Sequence, residues 1–167
     1  MIKAMQKSSL LALCILLLSA CSGTTDYFVS KDVDYEAWSE TDSVFFPIEI
    51  VETPDVLNPV KYGYDYTLTL ACRHSYDYKY QSIPLTVSFE VLDDSLGWRS
   101  CINPMYISIP TTDEKGFFTG GGWGSLYNHE LPVKGRTFSF PAPGNYRIIV
   151  QPDAQLRGVV SMTVQLQ

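Results

Sequence analysis

The amino-acid sequence predicts an all-β fold: a single antiparallel β-sandwich, Ig-like or jelly-roll-like, of seven to eight short strands behind a cleaved leader. Three observations predict it. Apolar residues recur at every second position in segment after segment, as strands with one face in a core and one in water require. Pro and Gly stand between those segments, at Pro54, Asn58-Pro59, Gly97, Gly116, Gly120 to Gly124, Pro141-Ala142-Pro143-Gly144 and Gly158, as turn chemistry demands. Helical spacing is missing except for one candidate turn, Asp34 to Ser39, with Trp38 facing one way.

The first element is the leader. Lys3 and Lys7 precede an apolar stretch, Leu10 to Leu18, closed by small residues, which is the order of a secretory signal. The stretch is much shorter than the roughly 20 residues a bilayer span needs. Leu18-Ser19-Ala20-Cys21 resembles the bacterial lipobox. That resemblance implies cleavage before Cys21 and acylation of that cysteine, palmitate included. The predicted organisation is a signal peptide over 1–20, a lipidated N-terminus and short tether over 21–26, and the sandwich over 27–167. Ser22 follows Cys21 where an Asp would favour inner-membrane retention, so the expected address is the outer membrane, facing the periplasm. Ser22 to Asp26, five residues at about 3.3 Å each, reach at most about 17 Å.

Cleavage leaves 147 of the 167 residues, enough for one core that buries about two-thirds of the unfolded surface. Of the 12 basic residues only Lys3 and Lys7 leave with the signal, so ten face 18 acidic ones, a net of −8. Nucleic acid is excluded as a partner, and anionic lipid surfaces are poor ones. Four cysteines suggest a disulfide framework until they are placed: Cys14 leaves with the signal and Cys21 takes lipid. Cys72 and Cys101 remain, and in an oxidising compartment they are either bonded to each other or two buried free thiols.

The strands follow in order. Val44, Phe46, Ile48 and Ile50 share one parity; Leu68, Leu70 and Cys72 share another, with Thr67, Thr69 and Arg73 opposite. Leu85, Val87, Phe89 and Val91 alternate with Thr86, Ser88 and Glu90 up to a turn at Asp93-Asp94. Further runs are Tyr106 to Ile109, Phe138 and Phe140, Tyr146, Ile148 and Val150, and Val160, Met162, Val164 and Leu166. Antiparallel pairing suits alternation of this kind.

No catalytic motif survives inspection. His129-Glu130 lacks the second His of a zinc protease, since Val133 takes that place and Pro132 breaks the helix. His74 lies in a different segment, so a zinc site would need ligands from elsewhere. Gly120 to Gly124 has no following Lys or helix to cradle phosphate, and reads as a tight loop around a packed Trp123. Trp123 and Tyr127 stand where a nucleophile elbow at Ser125 would need glycines. Asp93-Asp94-Ser95 lacks the further carboxylates of a calcium loop. The sequence therefore predicts no enzyme, no metal and no cofactor beyond the lipid on Cys21.

Tyrosine is the unusual feature. Tyr62, Tyr64 and Tyr66, then Tyr76, Tyr78 and Tyr80, stand at period two and would share a face if extended. Such rows can stack on sugar rings, form an interface, or pack across a sheet. Tyr76, Tyr78, Tyr80 and Trp123 are the candidate interaction surface.

Three stretches read together resemble the GldH family of gliding-motility lipoproteins of the Bacteroidota. The first is Tyr27 to Ile50, with Trp38 and Asp42 leading into Val44-Phe45-Phe46-Pro47-Ile48-Glu49-Ile50. The second is Arg73-His74-Ser75-Tyr76-Asp77-Tyr78-Lys79-Tyr80, in which Lys79 replaces a frequent Pro. The third joins Trp123-Gly124-Ser125 and Leu131-Pro132 to Phe140-Pro141-Ala142-Pro143-Gly144-Asn145-Tyr146 and Leu156-Arg157-Gly158-Val159-Val160. Pro152-Asp153-Ala154 departs from the family's Met-Arg pair, so no role for that Arg carries over. The resemblance implies a non-enzymatic, membrane-anchored interaction or assembly component of the gliding and type IX secretion machinery, with envelope proteins as partners. The alternative is a surface glycan-binding sandwich lipoprotein that uses the Tyr rows.

Overall fold

The computed structural model describes residues 25–167; the leader and Cys21 lie outside them. The described residues form eleven strands and no helix. Eight strands have six or more residues: β1 (Tyr27–Asp32), β2 (Val44–Ile50), β4 (Leu68–Ser75), β5 (Ser82–Asp93), β6 (Gly97–Pro110), β8 (Leu126–Pro132), β10 (Gly144–Pro152) and β11 (Val159–Leu166). Three are short: β3 (Asp65–Tyr66), β7 (Gly121–Trp123) and β9 (Phe138–Ser139). One sheet runs β1-β11-β4-β8-β7, a second β2-β10-β5-β6, and β3 pairs with β9. The pairings are antiparallel throughout.

Alternation places the core. On β5, Ile83, Leu85, Val87 and Phe89 are buried while Thr86, Ser88 and Glu90 are half-buried. Phe46, Ile48 and Ile50 of β2 and Tyr146, Ile148 and Val150 of β10 point the same way, as do Leu68, Leu70 and Cys72 of β4 in the other sheet. These residues of both sheets belong to one hydrophobic cluster. Each fully buried aliphatic or Phe side chain contributes about 1.5–3 kcal/mol to stability.

Several expectations are corrected. Asp34 to Ser39 is not helical: Tyr35 to Ala37 form a turn in which Asp34 Oδ1 accepts the N–H groups of Glu36 (2.9 Å) and Ala37 (3.3 Å). Trp38 then bridges to Leu156, whose N–H donates to the Trp38 carbonyl at 2.7 Å. On β11 a bulge between Val159 and Ser161 shifts the phase, so Val159 rather than Val160 faces the core. β6 extends far beyond Tyr106 to Ile109, because the turn after Asp93 returns the chain along the whole of β5. Asp93 Oδ1 accepts from Ser95 N–H and Leu96 N–H there, and Gly97 supplies a φ of +73°. The glycine-rich segment is no tight loop around Trp123: Gly121 to Trp123 form the edge strand β7 and the indole is 95% exposed.

Strand direction gives the domain two ends. Tyr27, Leu68, Pro132 and Leu166 stand at the end where Asp26 leads into β1, on the side of the predicted tether, and Asp32, Ser75, Leu126 and Val159 stand at the other. Gly144 of the second sheet joins the first end through β9, while Ser82 and Pro152 join the far end through short connections from Ser75 and to Val159.

Candidate functional site

The far end gathers most of the unusual side chains. Continuing the inward parity of β4 past Cys72 brings His74 to a position with 0% exposure. β8 runs alongside and pairs Cys72 with His129 and His74 with Tyr127. The two imidazoles, 55 positions apart in sequence, stack at 4.9 Å with Nε2 atoms 2.9 Å apart.

Their tautomers follow from the partners. His74 Nδ1 lies 2.7 Å from the Ser75 carbonyl, which can only accept, so Nδ1 carries the proton. Nε2 of neutral His74 is then an acceptor, and His129 Nε2 donates to it. Burial lowers the pKa of both rings, and for His129 the neighbouring His74 lowers it further. Phe118, Tyr127 and Tyr78 surround His74 at centroid distances of 4.8, 5.6 and 5.0 Å. Gly120 makes room for the pair, because a Cβ there would meet His129 Nε2 at 2.6 Å.

This arrangement is a neutral cross-strand staple with both His74 nitrogens engaged. Asp77, three residues beyond His74, accepts from Ser75 Oγ and from Tyr35 Oη (2.9 Å), and these bonds hold its pKa below the usual range. Among the described residues no group of three or more His, Cys, Asp or Glu is placed to hold a metal ion. His129 with Gly120, Gly121, Asn128 and Glu130 borders a shallow surface depression of about 450 Å³.

Outside the staple lies an aromatic surface. Tyr76 and Tyr80 are exposed, as is Phe117 on the connection from β6 to β7. Tyr76 N–H donates to Ser125 O at 2.9 Å, which places it beside the turn that carries Trp123. Tyr78 is corrected out of this surface: it is buried, its hydroxyl donates to Ser82 O at 2.9 Å, and its ring meets Tyr80 edge-on at 5.5 Å. The chain turns after Ser75 instead of staying extended, so period two does not put the three Tyr on one face. The Tyr62, Tyr64, Tyr66 triplet splits in the same way, with Tyr66 in the core and the others exposed at the tether end.

Cys72 and Cys101 are both free, on β4 of one sheet and β6 of the other. Cys72 is buried, and burial pushes its thiol up to about 12. Cys101 is exposed on the bulged stretch of β6, so neither expectation for the pair holds in full. The sequence did not reveal the histidine pairing or the roles of Phe117 and Phe118. The available signal was parity: Tyr127, His129 and Leu131 alternate as Leu70, Cys72 and His74 do.

A family model described as GldH lipoprotein matches residues 26–162. No curated protein and no solved structure matches the chain.

Proposed function

The chain belongs to the GldH lipoprotein family, and from that premise we propose that it is a non-enzymatic assembly or interaction component of the gliding-motility and type IX secretion machinery. It is read as anchored by lipid on Cys21 to the outer membrane, facing the periplasm. The observation that carries the reading is the exposed aromatic surface of Tyr76, Tyr80 and Trp123, held at the end of the domain remote from the tether. Exposed Tyr and Trp supply contact area at low rotamer cost, as hot spots of protein interfaces do. The engaged nitrogens of His74 and the hydrogen-bonded Asp77 support an interaction role over proton-transfer chemistry.

The long strands, counted one to eight, lie in the orders 1-8-3-6 and 2-7-4-5. That order supports a jelly-roll sandwich over an Ig-like one.

The test is complementation of a deletion strain with a Tyr76→Ala, Trp123→Ala variant. Wild-type abundance with lost spreading and lost secretion of type IX cargo is expected; normal behaviour in both assays refutes the proposal. The glycan reading loses Tyr78 but keeps the bare face of Trp123, on which a sugar ring could stack. Glycan-array binding that disappears in the same double variant would favour it.

A further inference from the structure

The end where the tether enters carries an apolar projection that the far-end surface does not explain. Residues 51–64 connect β2 to β3. At the tip Asp55 Oδ1 accepts the N–H groups of Leu57 (2.8 Å) and Asn58 (2.9 Å), and Asp55 N–H donates to Asn58 O at 3.3 Å. This closed turn holds out Val56 and Leu57, 96% and 86% exposed. At the root Val60 is buried, Lys61 N–H donates to the Tyr66 hydroxyl at 2.7 Å, and Gly63 N–H donates to Phe140 O at 2.8 Å. Single exposed aliphatics are ordinary, but two neighbours this bare on a turn fixed at tip and root contribute nothing to the core and are presented outward.

Their position relative to the lipid is bounded by the chain. Asp26 N–H donates to Leu166 O at 3.0 Å and Thr67 N–H donates to Gln167 O at 2.8 Å. β1 and β4 flank β11, so Asp26 and Thr67 lie about two strand spacings, roughly 10 Å, apart. Tyr66, beside Thr67, anchors the loop. Ser22 to Asp26 reach at most about 17 Å from Cys21, which keeps a bilayer holding that cysteine's lipid close to the loop.

The surroundings suit a lipid–water interface. Tyr62 and Tyr64 are exposed, and Lys61 Nζ sits 5.4 Å from the Tyr64 ring centroid. Aliphatic tips enter the acyl boundary, Tyr rings favour the headgroup level, and Lys can meet lipid phosphate. Asp26, Glu52, Asp55 and Asp65 share this end and outnumber Lys61 with Lys134 and Arg136 of the β8–β9 connection. Apolar insertion, rather than attraction to anionic lipid, therefore carries the contact.

We propose that the tether end docks on the lipid bilayer that holds the acyl chains of Cys21, with Val56 and Leu57 seated at the acyl boundary. The proposal rests on the reading of Cys21 as the lipid site. The test uses full-length acylated protein, in a Cys101→Ser background, reconstituted into phosphatidylethanolamine–phosphatidylglycerol vesicles. A polarity-sensitive fluorophore is placed on Leu57→Cys or, as a far-end control, on Trp123→Cys. Strong quenching of the position-57 label by lipid-borne nitroxides is expected, at least threefold above the control and little changed by salt. A label on Tyr64→Cys is expected to be quenched as well, and to lose that quenching when Val56→Asp and Leu57→Asp are added.

Acylated protein with an unquenched position-57 label overturns the proposal. A label that is shielded from water but not quenched by lipid nitroxides overturns it too, in favour of a protein partner, or of a second copy if the shielding depends on concentration. A mature N-terminal peptide without lipid on Cys21 overturns the anchoring reading and this proposal with it.

Discussion

His74 has no nitrogen to spare, and that makes the buried pair sensitive to substitution and to acid. Replacing His129 with Leu leaves His74 Nε2 a buried acceptor without its donor, at an expected cost of about 1–3 kcal/mol in urea unfolding. An unfolded histidine takes up its proton near pH 6.5, whereas burial, helped at His129 by His74, lowers the folded pKa values. Below pH 6.5 the unfolded chain therefore binds more protons, so the stability from the neutral pair is complete above that pH and is lost as pH falls through the window beneath it. The urea midpoint should drop between about pH 7.5 and about pH 5, and the drop should shrink in a His74→Phe, His129→Leu variant; an unchanged slope would show that other groups set it. The cysteines behave differently again. Cys101 should react with iodoacetamide in the native protein and Cys72 only on unfolding, because Cys72 is buried with its pKa pushed up to about 12. Equal labelling rates would contradict the burial of Cys72.

Along the second sheet, Arg147 ties all four strands together on the outward face. Its guanidinium lies 4.1 Å from the Trp98 ring centroid of β6 and 4.8 Å from that of Phe45 on β2, and Nη2 meets Glu90 Oε2 of β5 at 2.6 Å. The group is about three-quarters shielded, so it is screened less than a surface pair. Arg147→Met keeps the stem and should cost about 1–3 kcal/mol in urea unfolding. Arg147→Lys should recover only part of that, since an ammonium cannot stack between two rings as a guanidinium does. A fully stable Met variant would show that the sandwiched cation contributes nothing. The same strands show what could be read in advance. On β2, β5 and β10 the buried positions are apolar at every second residue, and although Phe45, Pro47, Pro84 and Ile149 stand among the polar residues between them, the alternation could still be read. β8 hid because its inward positions are Tyr127, His129 and Leu131 and it closes on Pro132, a mixture that does not read as a core strand. β6 hid because two register shifts against β5 break its period. The far-end cluster was illegible for a further reason: a 55-residue separation between its histidines is closed only by the pairing of β4 with β8, which no local pattern specifies.

At the scale of the whole molecule the two ends have different surfaces, and strand length sets the distance between them. Eight residues of β4 at about 3.3 Å each put the Tyr76 and Trp123 surface roughly 26 Å beyond the tether end. On the proposed anchoring, a lipid alone would let the domain tip about its short linker, and the height of the far surface would be set by both the length of that linker and the Val56–Leu57 contact. These two restraints should substitute for each other, because each raises the effective concentration of the far surface at a fixed height above the bilayer. Lengthening the tether by about 20 Gly and Ser residues, about 25 Å of mean reach, should leave spreading of a complemented deletion strain only mildly reduced. Val56→Asp with Leu57→Asp should also be mild alone, since both side chains are exposed and the fold does not use them. Combined, the two changes should reduce spreading far more than the product of their separate effects, at unchanged abundance and acylation. A purely multiplicative result would mean that the far surface finds its partner without being held at a set height, and that the two ends of the domain act independently.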